Sequence, residues 1–334
     1  MIYFYIMDNL RSIIATKILS NIPPRVKSID YLMEALNISR ESVYRRIRGD
    51  ISFTVEEIAK LSVELGFSID ELIIKDMHSR VFFDLHTSSA QTPSDNFLTI
   101  FTQNFQCMFD LPLIREAESI EISNRIPPGF IIFFNHLFKF CYYRWMHQNQ
   151  ESSLKYFYSD VALPENLLNL QQKIIENLRK IRESTFIFDP NLFLNLIQEI
   201  QYYYKRKLIN EEDYSLLKED LFGMVNMVES IAQTGFSKSG TKYNLYLSSM
   251  NVESNSRYIK YADQVKSQFY VNGMEPITIS NPNLCEMHKK WLDSMRKYAT
   301  LITQSNEILQ VRYFNKQRIY VEGSNGDTTI SKVM

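Results

Sequence analysis

The chain has 334 residues, 45% of them hydrophobic and 13% aromatic, with 9 glycines, 3 cysteines and a formal net charge of -1. That length allows two or three domains, the apolar content excludes a disordered chain, and the scarce glycine argues against Rossmann-type sheets and P-loops. Near-neutrality excludes a uniformly basic nucleic-acid binder, and three widely spaced cysteines, Cys107, Cys141 and Cys285, give no disulfide framework and read as buried thiols in a reducing cytoplasm.

The segment Met1 to Met7 is apolar but too short for a signal-peptide core, and Asp8 and Arg11 follow directly. Leu10, Ile13, Ile14 and Ile18 then recur at helical spacing until Pro23 and Pro24 stop the helix. Ser28 is the predicted N-cap of a second helix, with Ile29, Leu32, Met33 and Leu36 on one face. Asn37 follows, one of the few residues that tolerates the left-handed conformation of a tight turn. Ser39 caps a third helix, Arg40 to Arg48, with Val43 and Ile47 inward and Gly49 as its stop. Thr54 and Glu57 form a capping box that opens a fourth helix, closed by Gly66, and Ser68 to Glu71 opens a short fifth. Residues 1–75 therefore read as a five-helix domain.

His86 to Ser94 is small and polar, so residues 76–95 read as a linker or long loop. The region 96–334 reads as a larger helical domain. Phe97, Phe101, Phe105 and Met108 form one stripe; Gly129 to Met146 forms one buried aromatic helix behind Pro127 and Pro128, with Asn135, His136, Lys139 and Arg144 arguing against a membrane span. Leu167 to Ile181 is a further stripe, and Asp189 with Pro190 is the predicted start of the helix carrying Leu192, Leu196 and Ile200. Another helix runs from Asn210 to Thr234. Strand-like runs at 243–247 and 268–271, with the Asn272-Gly273 turn signal, predict a small β element within 243–280. Helices near 283–303 and 305–320 follow, and the tail from Gly323 should fray. The expected fold is thus mainly α, with a small β element.

The third helix has the chemistry of a DNA reader. Such a helix needs a buried rear and a donor-rich front. Arg40, Glu41, Ser42 and Arg45 lie on the front, and Ser28 and Ser39, at helix starts, suit phosphate oxygens. Across residues 25–48 the basic side chains are Arg25, Lys27, Arg40, Arg45, Arg46 and Arg48, against Asp30, Glu34 and Glu41.

Leu36-Asn37-Ile38-Ser39, then Val43, Gly49 and the run Ala59 to Leu72 resemble the lambda-repressor-like (xenobiotic-response-element) helix-turn-helix family over roughly residues 10–75. Asn37 stands where that family usually has glycine, and Ile47 where many members have glutamate. The resemblance implies that Arg40, Glu41, Ser42 and Arg45 read bases and that Arg48 meets phosphate. The whole chain is similar to bacterial regulators of this type with long helical C-terminal regions. What this implies is a cytoplasmic transcriptional regulator, not an enzyme, that binds double-stranded DNA as a homodimer and needs no cofactor or membrane. The other reading is an interaction or sensor module whose N-terminal bundle contacts protein.

Other signals are weaker. Gly235 to Lys242 resembles a P-loop only superficially, because lysine does not follow the second glycine. Cys285 and His288 are at most half a metal site, so no metal is expected, and they read as a packed thiol and a surface imidazole. The aromatic helix carries Phe134, Phe138 and Tyr142, which are candidate ligand contacts for a small-molecule or peptide effector.

Overall fold

The computed structural model describes residues 2–23, 26–68, 93–110, 117–149, 156–179, 181–261, 264–271 and 273–323. The chain divides into two compact units, residues 1–82 and 83–334. The predicted fifth helix, the linker up to residue 92 and the tail beyond Gly323 lie outside the described residues.

The first unit contains α1 (Ile2–Asn21), α2 (Ser28–Leu36), α3 (Arg40–Ile47) and α4 (Val55–Leu65). Ile18, Leu32, Val43, Phe53, Leu61 and Phe67 form its core. Asn37 adopts φ 51° and ψ 47°, and its N–H and that of Ile38 close α2 onto the carbonyls of Glu34 and Met33. Ser39 Oγ accepts the Ser42 N–H at 3.3 Å, which starts α3 immediately after this turn. The Thr54–Glu57 capping box is complete. One start differs from expectation: Lys27 is the N-cap of α2 and Ser28 is its first helical residue, so the Ser28 side chain does not cap.

The larger unit overturns the expectation of a mainly helical body with a small β element. Its centre is a seven-stranded mixed sheet in the order β6-β5-β4-β1-β2-β3-β7. The strands are β1 (Glu118–Ser123), β2 (Glu183–Phe188), β3 (Lys242–Ser248), β4 (Ser256–Tyr261), β5 (Gln264–Val271), β6 (Glu275–Ile279) and β7 (Ala299–Leu301). β1, β2 and β3 run parallel, with Ile120 beside Thr185 and Phe186 beside Leu245; the other pairings are antiparallel. The stretch 243–280 thus supplies four of seven strands, and β1, β2 and β7 lie outside it.

Around the sheet stand α5 (Pro93–Asp110), α6 (Pro128–Ile131), α7 (Asn135–Asn149), α8 (Glu165–Leu178), α9 (Leu192–Lys205), α10 (Glu211–Thr234), α11 (Pro282–Lys297) and α12 (Glu307–Glu322). Strand alternation decides which side each residue meets. Ile120, Ile122, Ile187 and Tyr258 pack against Cys285 and Leu292 of α11. Phe186, Phe188, Leu245 and Ile259 belong to the main core with Phe130, Phe193 and Val225. Three further expectations are corrected. The aromatic stretch 129–146 is two helices, broken after Ile131. The helix after Asp189 starts at Leu192, and Asp189 instead ties the loop together, accepting the N–H groups of Asn191 at 2.8 Å and Val252 at 3.0 Å. Residues 299–301, expected at the end of a helix, form β7. No helix among the described residues is long and apolar enough to cross a membrane.

Candidate functional site

Helix α3 turns 100° per residue, so side-chain directions follow from Val43, which is 1% exposed. Relative to Val43, Arg45 points about 200° away and Glu41 about 160°, both on the outer side. Both are exposed, as are Arg40 and Arg48; Ser42 is half-buried. Arg48 follows the helix and pairs loosely with Asp50 at 3.3 Å. Arg40, about 60° from Val43, leans toward the rear by phase and is exposed because it lies in the first turn. Ser39 is exposed and Ser28 half-buried at the start of α2.

Of the six basic residues counted between 25 and 48, Arg25 lies outside the described residues and Arg46 is committed elsewhere. Its Nε and one terminal nitrogen donate to the two oxygens of Glu57 at 2.9 and 2.8 Å, with both side chains largely buried. Arg46 therefore fastens α3 to the start of α4. Lys27, Arg40, Arg45 and Arg48 make up the exposed cationic set. Tyr44, 43% exposed on the flank of α3, adds an aromatic face that the sequence reading passed over.

The larger unit has a cleft at the carboxyl end of β1, with a cavity volume of about 50 Å3. Its floor includes Phe101, Ile126, Ile131, Phe138, Cys141 and Leu196, and its polar wall Glu121, Arg125, Arg144, Asn195, Glu199 and Asn255. Outside it, Gln148, Gln198, Tyr202 and Tyr203 widen the entrance. Of the predicted ligand contacts, Phe138 lines this cleft. Phe134 instead packs on Gly223, and Tyr142 lies edge-on to Phe97 at 5.1 Å inside the core.

Two ion pairs border the cleft. Arg144 donates to Glu199. Behind them Arg257 pairs with Glu121, its cross-strand neighbour, at 2.7 Å, and donates to the Asn104 carbonyl at 3.3 Å. Burial pushes the Glu121 pKa up, against the opposing pull of Arg257. The same cause raises the pKa of the Cys141 thiol.

No family model, curated protein or solved structure matches this chain. The geometry therefore stands by itself. Among the described residues no group of three His, Cys, Asp or Glu side chains could hold a metal. His288 is not at the surface: it is 7% exposed, with its ring nitrogens 2.9 Å from the hydroxyls of Ser256 and Ser267. The cleft's polar wall was missed because Glu121, Arg144 and Asn195 are far apart in sequence and single polar letters in apolar runs.

Proposed function

We propose that the N-terminal unit binds duplex DNA by laying the outer face of α3 in the major groove, and that the protein is a transcriptional regulator and not an enzyme. The observation that supports this best is local. Asn37 in the left-handed conformation joins two short helices whose shared core includes Leu32 and Val43, and the opposite face of α3 presents Glu41 and Arg45 to solvent. A rear face fixed by packing and a polar front are what groove reading requires. Arg45 offers a guanidinium fork to guanine, and Arg48, Lys27 and the start of α3 at Ser39 offer partners to phosphate. One helix reads only a few base pairs, so the proposal includes a homodimer on a two-fold site, in the cytoplasm where the DNA is.

A second reading has its own observation. Val55 and Val63 are exposed on α4, an apolar pair suited to a protein contact. Fluorescence anisotropy of the full chain on a duplex of random sequence, over a salt series, separates the two. DNA binding gives an affinity that falls linearly in log–log form as salt rises. A protein-contact bundle gives no binding at low salt.

A further inference from the structure

The sheet changes direction at β1. The chain runs from β1 to β2 and β3 on one side, then returns to place β4 antiparallel on the other. Crevices outside the carboxyl ends of parallel strands, at such reversals, are where open α/β sheets hold ligands. The cleft described above occupies this place, with Glu121 and Ser123 from β1, Asn195 and Glu199 from α9, and Gly273 from the β5–β6 turn.

Two features indicate what it takes. Glu121 is 1% exposed, and while its Oε2 accepts from Arg257, its Oε1 is buried in the cleft wall with no hydrogen-bond partner. A buried carboxylate oxygen left without a donor is unfavourable, so a ligand donor that reaches it is bound more tightly for doing so. At the mouth, Arg125 is exposed and forms no ion pair with a described residue, whereas Arg144 is already satisfied by Glu199. The Arg125 guanidinium lies across Gly273, 3.3 Å from where a Cβ would stand, and the φ of +86° there keeps a side chain out. The turn thus leaves room for this cation at the entrance. The same cleft is also lined by the apolar side chains Ile131, Phe138 and Leu196.

We propose that this cleft binds a small organic acid: its carboxylate pairs with Arg125, its hydroxyl or N–H donates to Glu121 Oε1, and its apolar part lies against Phe138, Ile131 and Leu196. The inference stands independently of the DNA reading, and its test contains no DNA, so either can fail without the other.

The test is calorimetric titration of the full chain with 2-hydroxy-4-methylpentanoate and 3-phenyllactate as probes. Each is compared with its methyl ester, which lacks the anionic end, and with the parent acid lacking the hydroxyl. The acids should bind, and removing either group should weaken binding about tenfold or more, the size of one charge-assisted hydrogen bond. Arg125→Gln, an exposed change that leaves the core intact, should weaken the hydroxy acids similarly and leave the esters unaffected. Because Glu121 is part of a buried ion pair, its donor contact is tested from the ligand side and not by substitution. The proposal is overturned if no acid binds at millimolar concentration, as when a buried water alone meets Glu121. It is equally overturned if acids and esters bind alike, if the hydroxyl makes no difference, or if Arg125→Gln changes nothing.

Discussion

Glu57 serves two partners at once: its carboxylate takes both forks of the Arg46 guanidinium, while Oε2 also accepts the Thr54 N–H at 2.9 Å. The end of α3 and the start of α4 are thereby held by one side chain. Glu57→Ala removes half a capping box and strands a largely buried guanidinium, a loss of about 2 kcal/mol. Both tryptophans, Trp145 and Trp291, lie in the larger unit and do not report on the head. Amide hydrogen exchange of α3 and α4 in the full chain should therefore accelerate about thirtyfold in the variant. Unchanged protection of α4 would show that Glu57 is not holding the two helices.

His288 makes stability depend on pH. Burial lowers its pKa from 6.5 to about 4. As pH falls below 6.5 the unfolded chain takes up a proton that the folded protein refuses, so stability declines down to about pH 4 and then levels off. Above pH 6.5 this group contributes no slope. The full loss is about 3 kcal/mol. Trp291 stacks near His288 at 6.0 Å, so its fluorescence follows unfolding locally. Urea midpoints of His288→Gln should fall less steeply over this range than those of the parent; parallel curves would contradict the assignment.

Gly223 sits inside α10, where alanine would normally gain about 1 kcal/mol in helix propensity. A Cβ there would stand 2.9 Å from Phe134 Cε1, closer than van der Waals contact allows. The steric cost, about 1–3 kcal/mol, equals the propensity gain at its lower end and outweighs it over the rest of its range. Gly223→Ala should lower the melting temperature, and a higher one would mean that Phe134 moves aside freely.

Arg48 should act on affinity and not on sequence choice. It lies past the end of α3, loosely paired with the exposed Asp50. Arg48→Ala should weaken binding to every duplex alike and lower the salt slope by about one. A loss confined to particular sequences would make it a base reader.

The head was largely readable because its signals are local. Asn37, Ser39, Thr54 with Glu57, and Gly66 each act within a few residues of the turn they form. The Arg46–Glu57 clamp was not readable, since its capping box gave no hint of the second partner. The sheet was misjudged for a physical reason. β1 reads Glu-Ser-Ile-Glu-Ile-Ser, and its Ile residues meet α11 while Ser119, Glu121 and Ser123 are buried on the other side. A strand with a polar buried face lacks the apolar signature of a parallel core strand. Glu121 is tolerable there because Arg257 stands opposite it on β4, 136 residues away. In β2 the run Phe186-Ile187-Phe188 was too short to separate strand from helix.

The most direct measurement selects bound duplexes from a random pool with the parent protein and Arg45→Ala in parallel. Arg45 points about 200° from buried Val43, straight out of the bundle, and a lost bidentate base contact relaxes choice at one base pair. The parent should enrich a two-fold symmetric motif, and the variant should enrich the same motif with one position per half-site flattened. No enrichment by the parent at low salt would contradict the DNA-binding proposal itself, and an unchanged motif with Arg45→Ala would contradict the role of α3 in reading sequence.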